Sequence, residues 1–198
     1  MKYPIIGISG AARCGKDTLC RGLIRELKKL NIPAVRKSIA GDTVKNDLKN
    51  LLFEKIEFDA FTEKHEEKEF VRPLLVEYGK LMRQKTNGRY FINKFNLEEN
   101  CVNIIPDIRY AEYPKDELFW LKEEMKGLSI FIDREEIFDA NETEKINNKI
   151  IKETTDFNLK WGRLNENSEY ERRIIDFHAK EIIDNFYLPL INRTTGSF

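Results

Sequence analysis

Apolar positions along the chain follow two alternating rhythms. Short apolar-rich runs at residues 4–9, 101–106 and 128–134, and a more polar one at 34–40, read as strands, most of them buried on both faces. Between them, apolar residues recur at helical spacing. Leu19, Leu23, Ile24, Leu27 and Leu30 form one stripe, and Val44, Leu48, Leu51 and Leu52 a second. A third comprises Phe70, Val71, Leu74, Leu75, Tyr78, Leu81 and Met82; Pro73 is tolerated in a first turn, so this helix is expected to start near Val71. Asn87-Gly88 stops it, and Leu118, Phe119, Trp120 and Leu121 mark a fourth, closed by Gly127.

Other stretches carry weaker patterns. Residues 54–61 form a loop with Phe58 and Phe61, and the charge run at 62–72 reads mostly as a solvated helix face. Residues 135–160 are polar and lysine-rich, as in a cover over a site. Glu181-Ile182-Ile183-Asp184-Asn185-Phe186 is expected to supply a fifth strand, with helix as the alternative. Residues 188–192 form a short terminal element, and the last few are expected to fray. Strands alternating with helices imply right-handed crossovers and a mostly parallel sheet covered on both faces. Such a sheet binds ligands at the carboxyl ends of its strands.

Composition narrows the picture. The 198 residues suit one α/β domain, and the 34 basic and 34 acidic side chains cancel. No global field recruits nucleic acid, which disfavours a polynucleotide ligand. No apolar stretch nears the roughly 18 residues of a membrane span, and the run at 4–8 is too short for a secretory leader. Three cysteines without metal-like spacing, Cys14, Cys20 and Cys101, point to free thiols in a reducing, cytoplasmic setting. His65 and His178 are the only histidines, so a zinc site is not expected.

The chemistry gathers in Gly10-Ala11-Ala12-Arg13-Cys14-Gly15-Lys16-Asp17-Thr18, between the first strand and the first helix. Strand, G-x-x-x-x-G-K loop, helix is a phosphate-binding P-loop. Its backbone amides, the helix N-terminus and Lys16 together favour bound phosphate. The expected architecture is therefore a P-loop NTPase: a three-layer α/β/α domain with a mostly parallel five-stranded sheet. An acceptor-binding helical insertion is expected at about 42–95 and a lid at about 135–165. Cys14 reads as a small residue that the loop tolerates.

Two absences narrow the class. Neither Asn93-Lys94-Phe95-Asn96 nor Asn148-Lys149-Ile150-Ile151 completes the base-reading motif of a GTPase. Asp107 is followed by Ile108 and Arg109, without the adjacent glutamate that activates water in many ATPases. A phosphorylated acceptor fits better than water. The loop also ends Lys16-Asp17-Thr18, the same offset as the Gly-Lys-Gly-Thr of adenylate-kinase-type nucleoside monophosphate kinases.

With Asp107-x-Arg109 and Arg72-x-Leu74-Leu75-x-x-x-Gly79-x-x-x-Arg83, the first 110 or so residues resemble bacteriophage-type deoxynucleoside monophosphate kinases. The resemblance is thin beyond Arg134. It implies ATP as donor, Mg²⁺, a deoxynucleoside monophosphate acceptor, a homodimer, and host cytoplasm if the source is viral. Lys16 would bridge donor phosphates, and residues 10–18 would hold ATP. Thr18, Asp17 and Asp107 would place the metal. Arg72, Arg83 and Arg109 would clamp the acceptor phosphate, with Phe91 against its base, ahead of Tyr78 and Tyr90. Arg134, with basic residues of the lid, would close over the reaction. Two alternatives stand beside this: another P-loop kinase, acting on dephospho-coenzyme A or a polynucleotide 5′ end, and a nucleotide-binding regulator that does not catalyse.

Overall fold

Unbroken apolar runs end up where both faces of a strand are covered, at the middle of a parallel sheet. The computed structural model describes residues 3–135, 137–139, 141–164 and 168–195. Strands β1 (Ile6–Ser9) and β3 (Val102–Ile105) are buried throughout, as is most of β4 (Leu128–Arg134). With β2 (Ala34–Arg36) and β5 (Phe157–Trp161) they form one all-parallel sheet in the order β2-β3-β1-β4-β5. The chain reverses its direction of growth at β1. The loops leaving β1, β3 and β4 therefore converge at one sheet edge.

Helices cover both faces. On one, α1 (Lys16–Lys29) and α7 (Glu169–Ile182) bury Leu19, Leu23, Leu27, Ile175 and Ala179 against Ile6, Ile8 and Ile130. Each fully buried Leu or Ile contributes about 1.5–3 kcal/mol relative to exposure. On the other, Ile5, Ile105 and Ile108 pack with Phe91, Ile92, Phe95, Trp120 and Leu121. Phe91 and Ile92 belong to α4 (Arg89–Lys94), and Trp120 and Leu121 to a π-helical continuation of α5 (Glu117–Phe119). A smaller cluster, Leu48, Leu52, Ala60 and Val71, joins α2 (Asn46–Ile56) to α3 (His65–Thr86). The result is the expected three-layer α/β P-loop fold.

Three elements differ from the sequence expectation. The fifth strand is β5, not residues 181–186. Those residues continue α7 through a π-helical segment, Ile183–Tyr187, into α8 (Leu188–Thr195). Ile182, Ile183 and Tyr187 bury one helical face, and the Tyr187 hydroxyl donates to the Pro4 carbonyl at 2.7 Å. In β5, Leu159 and Trp161 alternate with exposed Asn158 and Lys160, an edge-strand pattern hidden in polar surroundings. The span expected as a lid thus contains part of the sheet, together with α6 (Glu142–Thr154).

Helix α3 starts at His65, six positions before the expected Val71, and runs 22 residues through Pro73. Pro73 is exposed, so the carbonyl of Glu69 that loses its partner faces water. Finally, β2 ends at Arg36, and a π-helical turn, Ala40–Lys45, follows. Residues 196–198, expected to fray, lie outside the described residues.

Candidate active site

The loop after β1 depends on backbone that only glycine adopts without strain. Gly10 has φ 134°, and a Cβ there would stand 2.6 Å from the Ile132 carbonyl oxygen and 2.7 Å from Cys14 Sγ. Gly15 has φ 103°, with its Cβ position 2.9 Å from the Trp161 ring. Arg13 between them is also left-handed, at φ 66°. The loop leads directly into α1, whose N-cap Gly15 offers no side-chain acceptor to the first-turn amides. Those donors and the helix dipole are thus left for an anion.

Lys16 is 9% exposed and curls over the loop, donating to the carbonyls of Gly10 at 2.6 Å and Ala11 at 2.7 Å. Burial lowers its pKa; Cys14 opposes that shift and Arg109 adds to it. Burial likewise pushes the Cys14 thiol up, which fits a packed neutral side chain rather than a reactive thiolate. Three neighbours fasten the outside of the loop. The Ala12 amide donates to Glu144 Oε1 of α6 at 3.0 Å, placing a carboxylate oxygen in the anion cradle. Arg134 Nη1 donates to the Arg13 carbonyl and Trp161 Nε1 to that of Cys14, both at 2.9 Å.

Asp107, at the exit of β3, is almost fully engaged. Its Oδ1 accepts from the Ile39 amide at 3.0 Å, and its Oδ2 from Ser38 Oγ and the Ala40 amide, both at 2.8 Å. It ties the end of β3 to the end of β2. Asp17 is exposed and paired with Arg36 at 2.9 Å, while half-buried Thr18 accepts a long hydrogen bond from Arg21. Among the described residues no group of three or more His, Cys, Asp or Glu side chains could cage a metal. Mg²⁺ in nucleotide sites uses few protein oxygens and takes the rest from phosphate and water. Of the three residues expected to place a metal, Thr18 offers a hydroxyl and Asp107 a carboxylate, while Asp17 is drawn off by Arg36.

Beside the loop, a cavity of about 250 Å³ opens between the π-helical turn, α3 and the exit of β3. Val44, Val71, Leu75 and Val76 form apolar walls, and Lys45, Lys68, Arg72, Arg83 and Arg109 bring positive charge. These cations are not equivalent. Lys68 is paired with Glu63 and Arg72 with Glu69, each at 2.7 Å on the surface. Exposed Arg109 has no carboxylate partner among the described residues, and its charge reaches Lys16. Arg83 is 4% exposed and bound to Glu117 at 2.6 Å, with its guanidinium between the rings of Phe91 (4.8 Å) and Tyr110 (3.5 Å).

The structure therefore gathers residues 10–18 with Arg134 around the loop, and Asp107, Arg72, Arg83 and Arg109 around the cavity. Phe91 does not join them. It is fully buried, edge-on to Tyr78 and Tyr90, and no face of it reaches the cavity lining, so it cannot take a base as expected. Arg83 is likewise held away from solvent by Glu117 rather than held out as a phosphate clamp. Sequence reasoning passed over Tyr110 and Glu117, which do line the cavity; the one available signal was an aromatic directly after Asp107-x-Arg109. Arg134 borders a second cavity, of about 270 Å³, with Ala11 and the α6 residues Lys145, Lys149 and Lys152. No described helix is long and apolar enough to cross a membrane.

Strand order, loop and cavity define the class: an α/β domain of P-loop architecture. No family model and no curated protein matches the sequence. Among solved structures it is similar to the APS kinase of Mycobacterium tuberculosis in complex with AMPPNP and APS (14% identity, TM-score 0.41, covering 92% of this chain and 96% of that one). It is also similar to shikimate kinase from Aquifex aeolicus (17%, 0.41, 91% and 97%) and dephospho-CoA kinase from Campylobacter jejuni (15%, 0.34, 92% and 98%). Likenesses this distant do not specify a substrate.

Proposed function

We propose that this chain transfers the γ-phosphoryl group of ATP to a deoxynucleoside monophosphate. One observation carries the reading: Arg109, a cation without a carboxylate partner among the described residues, lines a cationic, apolar-walled cavity while its charge reaches Lys16 of the phosphate loop. A kinase acting on a phosphorylated acceptor must bring two anions together, so its protein supplies charge and geometry more than covalent chemistry. An acceptor phosphate oxygen attacks the γ-phosphorus in line. The bond to the β–γ bridging oxygen breaks, and ADP leaves with that electron pair.

In this scheme the α1 N-terminus and the loop amides hold the donor. Lys16 exchanges its loop carbonyls for phosphate oxygens. Arg109 takes the acceptor phosphate, with Arg72 at the outer rim, and Arg134 screens the transferred group from the other side. Magnesium, when bound with ATP, neutralises charge on the β- and γ-phosphates. Thr18 and Asp107 would hold it, Asp107 through water because its oxygens are already engaged. Coupled detection of ADP with each of the four deoxynucleoside monophosphates tests the reading. Stimulation by at least one is expected, and no stimulation by any would refute it.

A further inference from the structure

Tyr110 lines the cavity immediately after Arg109, so a cation and a ring arrive there on consecutive residues. One face of the ring carries the Arg83 guanidinium, 3.5 Å from the centroid. Among the described residues no other ring or cation covers the opposite face, and the hydroxyl makes no hydrogen bond. The ring is half-buried, and burial raises its pKa, so the phenol stays neutral near pH 7. We propose that Tyr110 is the platform on which the acceptor's base stacks, and that Arg83 and Glu117 are positioning residues for it. The proposal rests on the kinase reading above and deepens it.

The supporting geometry runs through one carboxylate. Glu117 Oε1 accepts from Arg83 Nη2 at 2.6 Å, which fixes the guanidinium behind the ring. Its Oε2 accepts from the amides of Arg109 at 2.7 Å and Tyr110 at 3.2 Å, which fixes the backbone that bears both side chains. Phe91 closes the far side of Arg83 at 4.8 Å, giving a stack of ring, guanidinium and ring. Withdrawing Arg83 to reach a phosphate would leave Glu117 buried and unpaired, an arrangement that buried ion pairs strongly resist. Arg83 therefore serves the ring. Val71, Leu75 and Val76 line the same cavity and supply the apolar surroundings that a base would need.

The test measures binding without ATP, by calorimetry, of dGMP, dTMP and the baseless control deoxyribose 5-phosphate. In the wild type and Tyr110→Phe, the nucleotides should bind more tightly than the control. In Tyr110→Leu that advantage should shrink by roughly 10- to 100-fold while the control's affinity is retained, as expected for loss of one base–aromatic stack. An advantage undiminished in Tyr110→Leu, or absent from the wild type, overturns the proposal. Should the leucine variant fail to fold, proton NMR of the wild type decides. The Tyr110 ring signals, assigned with Tyr110→Phe, should shift upfield with dGMP and not with the control; equal shifts overturn the proposal. Glu117→Gln, which also loosens the Arg109 backbone, should weaken the nucleotides more than the control, so that the base advantage falls; an equal loss for nucleotide and control would overturn the positioning role of Glu117. Failure of the kinase reading shows separately, as absence of ADP release from wild-type protein.

Discussion

The two halves of the site are built from different materials. The phosphate loop is mostly backbone: left-handed glycines, a helix end, and Lys16 folded onto carbonyls. The neighbouring cavity, proposed to take the acceptor, is mostly side chains, drawn from α3 and the exits of β2 and β3, whose charges are partly spent on one another. A backbone device leaves its mark in adjacent residues, because glycine spacing dictates the turn. A side-chain device leaves no such mark, because which arginine stays available depends on partners dozens of positions away. Arg83 and Glu117, 34 positions apart, illustrate this.

The comparison can be broken most severely at Lys16. Lys16→Ala should lower kcat by about 10²–10³-fold or more while thermal unfolding changes little, since the lysine serves the loop and not the core. A folded variant with near-normal turnover would remove the loop from the chemistry. On the other side, Glu117→Ala strips a buried pair of one partner and should destabilise the fold by about 3–5 kcal/mol in denaturant unfolding. A loss below about 1 kcal/mol would mean that Arg83 relaxes to water.

Arg109→Ala should raise the acceptor's KM by roughly 10- to 100-fold and lower kcat, with ATP affinity spared, as for loss of a charge-assisted hydrogen bond. Lost ATP binding would instead assign Arg109 to the donor half. A subtler contrast concerns Asp116, whose buried Oδ1 faces Arg83 Nε at 4.0 Å without a hydrogen bond. Burial, with Glu117 beside it, pushes this carboxyl up to about 7. The folded state thus keeps a proton that the unfolded chain releases at lower pH. Stability from this group is full in acid and declines as pH rises through about 7. Asp116→Asn should flatten that decline between about pH 4 and pH 7, read as the thermal midpoint. The smallest effect is expected at Glu144. Removing its carboxylate from the Ala12 amide should tighten ATP about two- to fivefold, because the competent loop is then more populated. Weaker binding would make Glu144 a brace for the loop.

Legibility in the sequence follows the same division. β1, β4 and the loop could be read directly, because buried apolar runs and spaced glycines are local signals. β5 escaped because Leu159 and Trp161 are only two inward positions in a lysine-rich stretch. Pro73 misplaced the start of α3, since an exposed proline inside a long helix leaves only one carbonyl to water. Phe91 and Tyr110 were indistinguishable as aromatics near arginines. Burial separated them, and burial is set by how α4 packs on the sheet.

The contact between Trp161 and the loop has an optical consequence. The chain has two tryptophans, and the indole of this one donates to Cys14 while its ring sits against Gly15. Any rearrangement of the loop around a nucleotide changes the polarity and hydrogen bonding of that indole. Trp120 lies in the core on the opposite face of the sheet and serves as an internal reference. The wild-type protein would therefore report occupancy of its own phosphate loop by emission, without an added label, and a Trp120→Phe variant would isolate that signal.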